Sequence, residues 1–405
     1  MSPAMQESID IENVIDALSR TGNYLSNQMD ITVDQRTRLL KACEKLSSQI
    51  MPLRNKIWDL GFKGFETTAI RVAMDMRIFD LAGKSTTKEL TPQQISSHAG
   101  ADPVLALSIG LFTITPQGMY KPGPWVNDLA QGRPLSDMIT FIHDVMLPAC
   151  QKLPEFLSKT GYQNPSDANA CPFQYAFETN DHLYTWLSKN PAIYSAFCGL
   201  MKAMEQNAIC WPDIFDVHER FKVFQGPSPA EPLQLVDVGG GIGHKIQYLK
   251  ETMPDLVAEF TLQDLPEVLK NVPAGMNADI QPMPHDFFQP QPVKGATVYV
   301  LARILHNWPD ADCRKILRHT RDAMNDRSTL LIHEGVFTPG AGEVYPLDVV
   351  LDMVMMVSCG SMERSESQFR ELLASEGLDL VRVWRVKNQE KSQEGVLEVR
   401  KKRLD

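Results

Sequence analysis

The chain has 405 residues, enough for two or three domains and a sizeable core, and 43% of them are hydrophobic. Its formal net charge is −10, which argues against a nucleic-acid partner, because phosphate binding needs clustered Lys and Arg. No apolar run approaches the roughly 18 residues of a spanning helix, so no membrane partner is expected.

The N-terminal stretch MSPAMQESIDIENVIDAL carries acidic residues and no apolar signal core, which predicts a cytoplasmic protein. The seven cysteines are scattered without a CxxC pair and read as reduced thiols. Cys and His show no zinc or iron–sulfur spacing, so no metal is expected.

Residues 1–60 read as helical, with Ile11–Gln28 and Val33–Asp59 carrying apolar residues at helical spacing. Residues 65–130 read as a small helical domain, with helices at Thr68–Leu81 and Leu90–Ala99, the second started by Thr91-Pro92. Met119-Tyr120-Lys121 ahead of Pro122-Gly123-Pro124 suggests the wing of a winged helix. Dimer packing is its alternative role, and the acidic balance disfavours DNA.

Helices rich in Phe, Tyr, Met and Trp follow at Phe141–Lys159, His182–Asn190 and Ala192–Cys210. Gly226–Pro232 is a turn-rich linker and marks the main boundary. The expected organisation is therefore a helical, winged-helix-like part over 1–135, a helical pocket segment and linker over 136–232, and an α/β domain over 233–405.

From residue 233 strands and helices alternate. Strands are predicted at Gln234–Val238, Glu259–Gln263, Ala296–Leu301, Thr329–His333, Leu378–Val386 and Gly395–Arg400. Helices are predicted at Lys245–Met253, Asp310–Met324 and Ser365–Glu376. The pattern predicts an α/β fold, a Rossmann-like sheet that is mostly parallel. The last two strands, joined by the polar loop Lys387–Gln393, should form an antiparallel hairpin at its end.

The stretch LVDVGGGIGH over 235–244 joins a strand to a helix through glycines, whose backbone can approach a ligand closely. A dinucleotide turn has G-x-G-x-x-G, but position 244 is His. A nucleotide-like ligand without a pyrophosphate fits better. Asp264 ends the next strand, where a carboxylate accepts from both ribose hydroxyls; its alternative role is to cap the helix begun by Pro266. Asp286, in Pro284-His285-Asp286-Phe287-Phe288, pairs an acid with aromatics suited to an adenine ring, or is a solvated loop carboxylate.

LVDVGGGIGH, LQDLPEV, PHDFF, LARILHNWPDADC and SMERSESQF follow one another as in class I S-adenosylmethionine-dependent O-methyltransferases. The chain resembles the caffeate/flavonoid type in its fungal natural-product form, over nearly its whole length. The resemblance implies S-adenosylmethionine as cofactor. Gly239, Gly240 and Gly241 would line its methionine part, Asp264 its ribose, and Asp286 with Phe287 its adenine. It also implies a homodimer packed through the helical N-terminus, making that part a dimerisation domain.

Methyl transfer to a hydroxyl needs the oxygen aligned and its proton removed. By the resemblance His306 is the general base, and Glu334 and Glu363 orient and charge-stabilise it. Read without the resemblance, His306 is a helix-entry histidine and Glu363 a helix-start carboxylate. The chain departs from the family pattern at Asn307, where Asp is usual, at Ala302, where a basic residue is common, and at His333, where Asp is frequent. Leu105–Thr115 also looks shorter than its counterpart.

Phe141, Met201, Met353 and Met356 are candidate pocket residues, suiting a flat, aromatic or polyketide-like small molecule; core packing is their alternative role. His143 reads as a helix-surface or core residue.

The leading expectation is an O-methyltransferase for a phenol or enol of a fungal-type secondary metabolite. The alternative is a pericyclase on the same scaffold, in which S-adenosylmethionine is kept but its methyl unused. In leporin-type pericyclases an Arg replaces the family His, whereas this chain keeps His306. A non-catalytic regulatory protein is a third, disfavoured reading.

Overall fold

The structure, a computed structural model, describes residues 10–26, 31–84, 89–100, 112–122, 126–205, 208–225, 232–273, 275–276, 279–337, 346–386 and 393–402. Two compact units divide between residues 66 and 67. No helix among the described residues is long and apolar enough to cross a membrane.

In the first unit, helices run over Ile11–Ser26, Val33–Ile50 and the start of Leu53–Asp75. Thr32 and Gln35 form a reciprocal capping box that opens the second helix. The helix predicted over Val33–Asp59 is broken at Met51. That residue precedes Pro52, whose ring disfavours helical backbone before it, and it is extended. Ile11, Leu40, Leu53, Trp58, Leu60 and Phe65 are exposed, and Trp58 stacks on Phe62.

The second unit opens with a small cluster built from Ala73, Ile78, Phe79, Ile95, Tyr120 and Val126. Thr68–Leu81 is not one helix. It stops at Asp75 and restarts at Ile78, because Arg77 takes a left-handed backbone with φ 53°. Strands β1 (Phe112–Ile114) and β2 (Tyr120–Pro122) form an antiparallel ribbon at the predicted wing. Residues 105–111 of the segment expected to be short, the linker 226–231 and the loop 387–392 lie outside the described residues.

The helix predicted over Phe141–Lys159 begins earlier, at Pro134, and carries a π turn over Ile142–Met146. Pro148 offers no N–H and crowds the carbonyl four residues back. A wider turn there relieves that conflict. The buried faces of these helices, with those of 172–177, 183–189 and 191–205, enclose Phe141, Met146, Phe173, Leu187 and Ala196. Val357 and Cys359 join the same cluster from the helix Pro346–Cys359, which therefore links the helical segment to the sheet.

The sheet comprises β3 (Leu233–Val238), β4 (Ala258–Asp264), β5 (Ile280–Pro284), β6 (Val298–Ala302), β7 (Thr329–Phe337), β8 (Arg364–Ser365), β9 (Leu378–Arg385) and β10 (Glu394–Lys401). Its order is β5-β4-β3-β6-β7-β10-β9, with β8 paired to the end of β7. All pairs are parallel except β7/β10 and β10/β9, as the expected closing hairpin requires.

Alternate residues face opposite cores. Val236 and Val238 pack with Ile316, Leu317 and Phe369, while Leu233 and Leu235 pack with Trp211, Ile246 and Leu249. Two strands, β5 and β8, were not predicted, and β7 extends four residues past His333. β4 and β6 flank β3 on opposite sides, so the carboxyl end of β3 is the switch point where α/β sheets bind ligands.

Candidate active site

The glycine turn lies at that switch point. Gly239, Gly241 and Gly243 take φ of 70°, 63° and 85°, a region open to glycine. A Cβ on Gly239 would stand 2.7 Å from Ile304 Cδ1, and one on Gly240 would stand 2.5 Å from Asp237 Oδ2. Gly241 has open space where a side chain would be, and its N–H donates to Asp264 Oδ2 at 2.8 Å.

Asp264 Oδ1 accepts from Leu265 N, so Asp264 ties the tip of β4 to the turn. The helix from Pro266 has no side-chain cap, which removes the capping role considered for Asp264. Burial raises the Asp264 carboxyl, against the pull of those two N–H groups. Asp286 Oδ1 accepts from Phe288 N, and Phe287 packs on the Gly239 side of the turn. Phe287 and Phe288 both meet Trp308 edge to face, at 6.0 and 4.7 Å.

Asp237 stands in the largely apolar strand β3, just before the glycine turn. It is 1% exposed, and neither carboxylate oxygen has a hydrogen-bond partner among the described residues. Burial pushes its carboxyl up to about 6. An acid inside a strand buried on both faces, just before a glycine turn, is the signal that could have found it. A buried, unpaired carboxylate calls for a cation or strong donor from a ligand. With an open glycine backbone, a carboxylate at the ribose position and aromatic rings beyond it, the residues fit a cationic adenosyl group.

His306 stands in a single 3-10 turn, Leu305–Asn307, just after β6. Its Nδ1 is 2.9 Å from Glu363 Oε1 and 3.8 Å from Glu334 Oε2. Glu334 is fully buried inside β7, and not at its end as predicted. Its Oε1 accepts from Ile304 N at 3.0 Å and Leu305 N at 2.7 Å. Gly335 lets Glu363 approach β7, since a Cβ there would stand 2.9 Å from Glu363 Oε2.

Burial works against a charge on His306, yet the charges of Glu334 and Glu363 outweigh it and hold its pKa above the ordinary value. Glu334 is itself raised by burial. These three side chains also offer donor atoms within 4.8 Å of one another, the geometry of a possible metal site.

The turn bearing His306 is anchored from outside. Arg364, 1% exposed, donates Nη1–H to Leu305 O at 2.9 Å, Nη2–H to Trp308 O at 2.9 Å, and Nε–H to Asp310 Oδ1 at 3.0 Å. Neighbours in sequence thus do two jobs: Glu363 holds the imidazole and Arg364 holds its backbone. Arg303 has a left-handed backbone with φ 61°, costly for a side chain of its size, and its N–H donates to His333 O. It pairs with Glu394, whose Oε2 lies 3.1 Å from His333 Nε2. Asn307 Nδ2 donates to Arg303 O, so the residue that replaces the usual Asp serves the turn's backbone.

Of the candidate pocket residues, Phe141 is 2% exposed and packs against Phe197 in the helical core. Met201 and Met353 are exposed, and Met356 is half-buried. His143 Nδ1 lies 2.7 Å from Asp144, which Arg71 holds.

Residues 160–379 match the O-methyltransferase domain family. The O-methyltransferase mfmE of Annulohypoxylon moriforme is 32% identical over 78% of this chain and 79% of its own length. Demethylsterigmatocystin 6-O-methyltransferase of Aspergillus parasiticus is 30% identical over 77% and 80%. Among solved structures, LepI in complex with SAM superposes with a TM-score of 0.83 at 24% identity, covering 97% of this chain and all of that one. OxaC with sinefungin and meleagrin gives 0.79 at 23% identity, over 96% and 98%. The two structures show a shared fold. The family match and the relatives decide more: this chain belongs to the O-methyltransferases, enzymes that take S-adenosylmethionine as cofactor.

Proposed function

We propose that the protein methylates a phenol or enol hydroxyl of a fungal-type secondary metabolite, with His306 as general base. The observation that carries this reading is the 2.9 Å contact between His306 Nδ1 and Glu363 beside fully buried Glu334. S-adenosylmethionine, when bound, supplies an electrophilic methyl on a sulfonium.

The chain's own residues do the rest. Gly239, Gly240 and Gly241 admit the cofactor's methionine part, Asp237 offers its cationic groups a counter-charge, Asp264 holds the ribose, and Asp286 with Phe287 holds the adenine. Glu363 accepts the Nδ1 proton, which leaves His306 Nε2 free to take the proton of the acceptor hydroxyl.

A phenol near pKa 10 facing an ordinary histidine near 6.5 leaves about 5 kcal/mol uphill. The raised basicity of His306 narrows that gap, and alignment of the acceptor supplies up to ~7–11 kcal/mol. Met201, Met353 and Met356 are the proposed acceptor-side residues, with Phe141 supporting them from the core. Incubation with methyl-labelled S-adenosylmethionine and a panel of phenols tests the reading; binding without label transfer to any acceptor counts against it.

A second reading has one observation in its favour. The solved structure of a pericyclic reaction enzyme shares the fold, with a TM-score of 0.83 at 24% identity. Ring closure of a dehydrated precursor without loss of cofactor would select it.

The organisation we infer is a winged-helix-like dimerisation part over 1–135, a pocket segment over 136–232 and the catalytic domain over 233–405. The exposed Ile11, Leu53, Trp58, Leu60 and Phe65 suit burial against a second copy. Light scattering on the full chain should give a dimer, and a monomer at micromolar concentration would refute it.

A further inference from the structure

The catalytic scheme leaves unused a group of rings in the helical segment. His182 caps the helix Leu183–Lys189, and its Nδ1 accepts from Tyr184 N at 3.3 Å. That bond fixes the tautomer with hydrogen on Nε2. Burial lowers the pKa of His182 to about 4, so the ring is neutral at pH 7. Nε2 is buried and has no hydrogen-bond partner among the described residues. A buried N–H left this way is costly, and a ligand that accepts from it would remove the cost.

The surroundings show what kind of ligand. His182 lies parallel to Trp308, with centroids 4.6 Å apart and planes 9° apart. Trp308 in turn meets Phe287 and Phe288, and Phe287 borders Gly239. An unbroken run of rings thus leads from the helical segment to the glycine turn. Tyr184 packs on both His182 and Trp308, at 5.3 and 6.4 Å. Burial, more than the charges of Cys359 and Asp264, raises its phenol.

We infer that His182 and Tyr184 form the helical-side wall of the cofactor cleft and bind the adenosine end of S-adenosylmethionine. His182 donates Nε2–H to a purine nitrogen beside the Trp308–Phe287 rings, and Tyr184 donates its hydroxyl to the ribose held by Asp264. The assignment rests on reading Asp264 and Phe287 as the adenosine contacts. It adds to the cofactor site two residues from outside the α/β domain.

Calorimetric titration of the full chain with S-adenosylhomocysteine tests it. His182→Phe keeps a ring on Trp308 but loses the donor, and Tyr184→Phe loses only a hydroxyl. Each should weaken binding roughly tenfold, the effect of one hydrogen bond. His182→Ala, which also loses the stack, should weaken it further. The KM for the acceptor should stay within twofold in all three. If the unmodified chain binds and both Phe variants bind equally well, the inference fails while the cofactor reading stands. A shift in acceptor KM alone also overturns it, by placing the two residues on the acceptor side. No binding to the unmodified chain overturns the cofactor reading and this inference together.

Discussion

Replacing Glu363 by Gln removes one of the two charges that hold His306 basic while keeping the size of the side chain. Glu363 Oε1 is 2.9 Å from Nδ1, and Glu334 Oε2 is 3.8 Å away. At an effective dielectric near 20, unit charges about 4 Å apart interact by ~4 kcal/mol. The opposing charge of Arg303 reduces the net effect, so a fall of about 1–3 pKa units is expected for His306. Proton transfer then becomes harder by about 1.4–4 kcal/mol, or roughly 10- to 1000-fold in rate where that step limits turnover.

The assay is single-turnover methyl transfer as a function of pH. The base works when deprotonated, so the acid limb of the profile marks its pKa. In the variant the limb should move to lower pH and the plateau should fall, with the affinity for S-adenosylhomocysteine unchanged. An acid limb that stays in place, with a plateau within twofold of the unmodified enzyme, would refute the reasoning.

Asp237→Asn should separate stability from binding. A carboxyl raised on folding to about 6 holds a proton that the unfolded chain has already released. Stability therefore falls as pH rises between about 4 and 6, and the Asn variant should gain up to ~3 kcal/mol at pH 7 while binding cofactor more weakly. Melting against pH, with calorimetry alongside, checks both halves. His306 behaves oppositely. Its raised pKa contributes stability in full below the unfolded value near 6.5, and that contribution disappears as pH climbs through the folded value. The melting difference between the unmodified chain and His306→Gln should shrink accordingly above neutral pH. Arg364→Lys loses the fork that grips Leu305 O, Trp308 O and Asp310 at once, so denaturant unfolding should show a loss of roughly 2–4 kcal/mol. Its loss of kcat should exceed its change in cofactor affinity.

The α/β half was legible because its signals are local. Leu235, Val236 and Val238 are apolar and alternate between faces, the glycines mark the turn, and the polar segment after Val386 announces a hairpin. β5 was missed because Pro282 and Pro284 argue against a strand; at the sheet's edge a proline costs little. β7 looked short because Glu334 and Gly335 interrupt its apolar run, although both lie inside the strand for the sake of His306 and Glu363.

The trio itself was found by resemblance, since three residues spread over 57 positions carry no local pattern. The support around it was invisible for the same reason. Arg364 reads as an ordinary charge beside Glu363, and nothing in the sequence brings His182 to Trp308, which lies in another element. The break at Arg77 has no glycine or asparagine to signal it.

The central claim is that His306 passes an acceptor's proton away while a methyl moves to that oxygen. Transfer of label from S-adenosylmethionine to a phenolic acceptor, quantified together with S-adenosylhomocysteine, tests it most directly. The account predicts one S-adenosylhomocysteine per methylated acceptor, and loss of both products in His306→Gln with cofactor binding intact. Conversion of substrate with the cofactor unconsumed, or undiminished transfer by the His306→Gln variant, would contradict it.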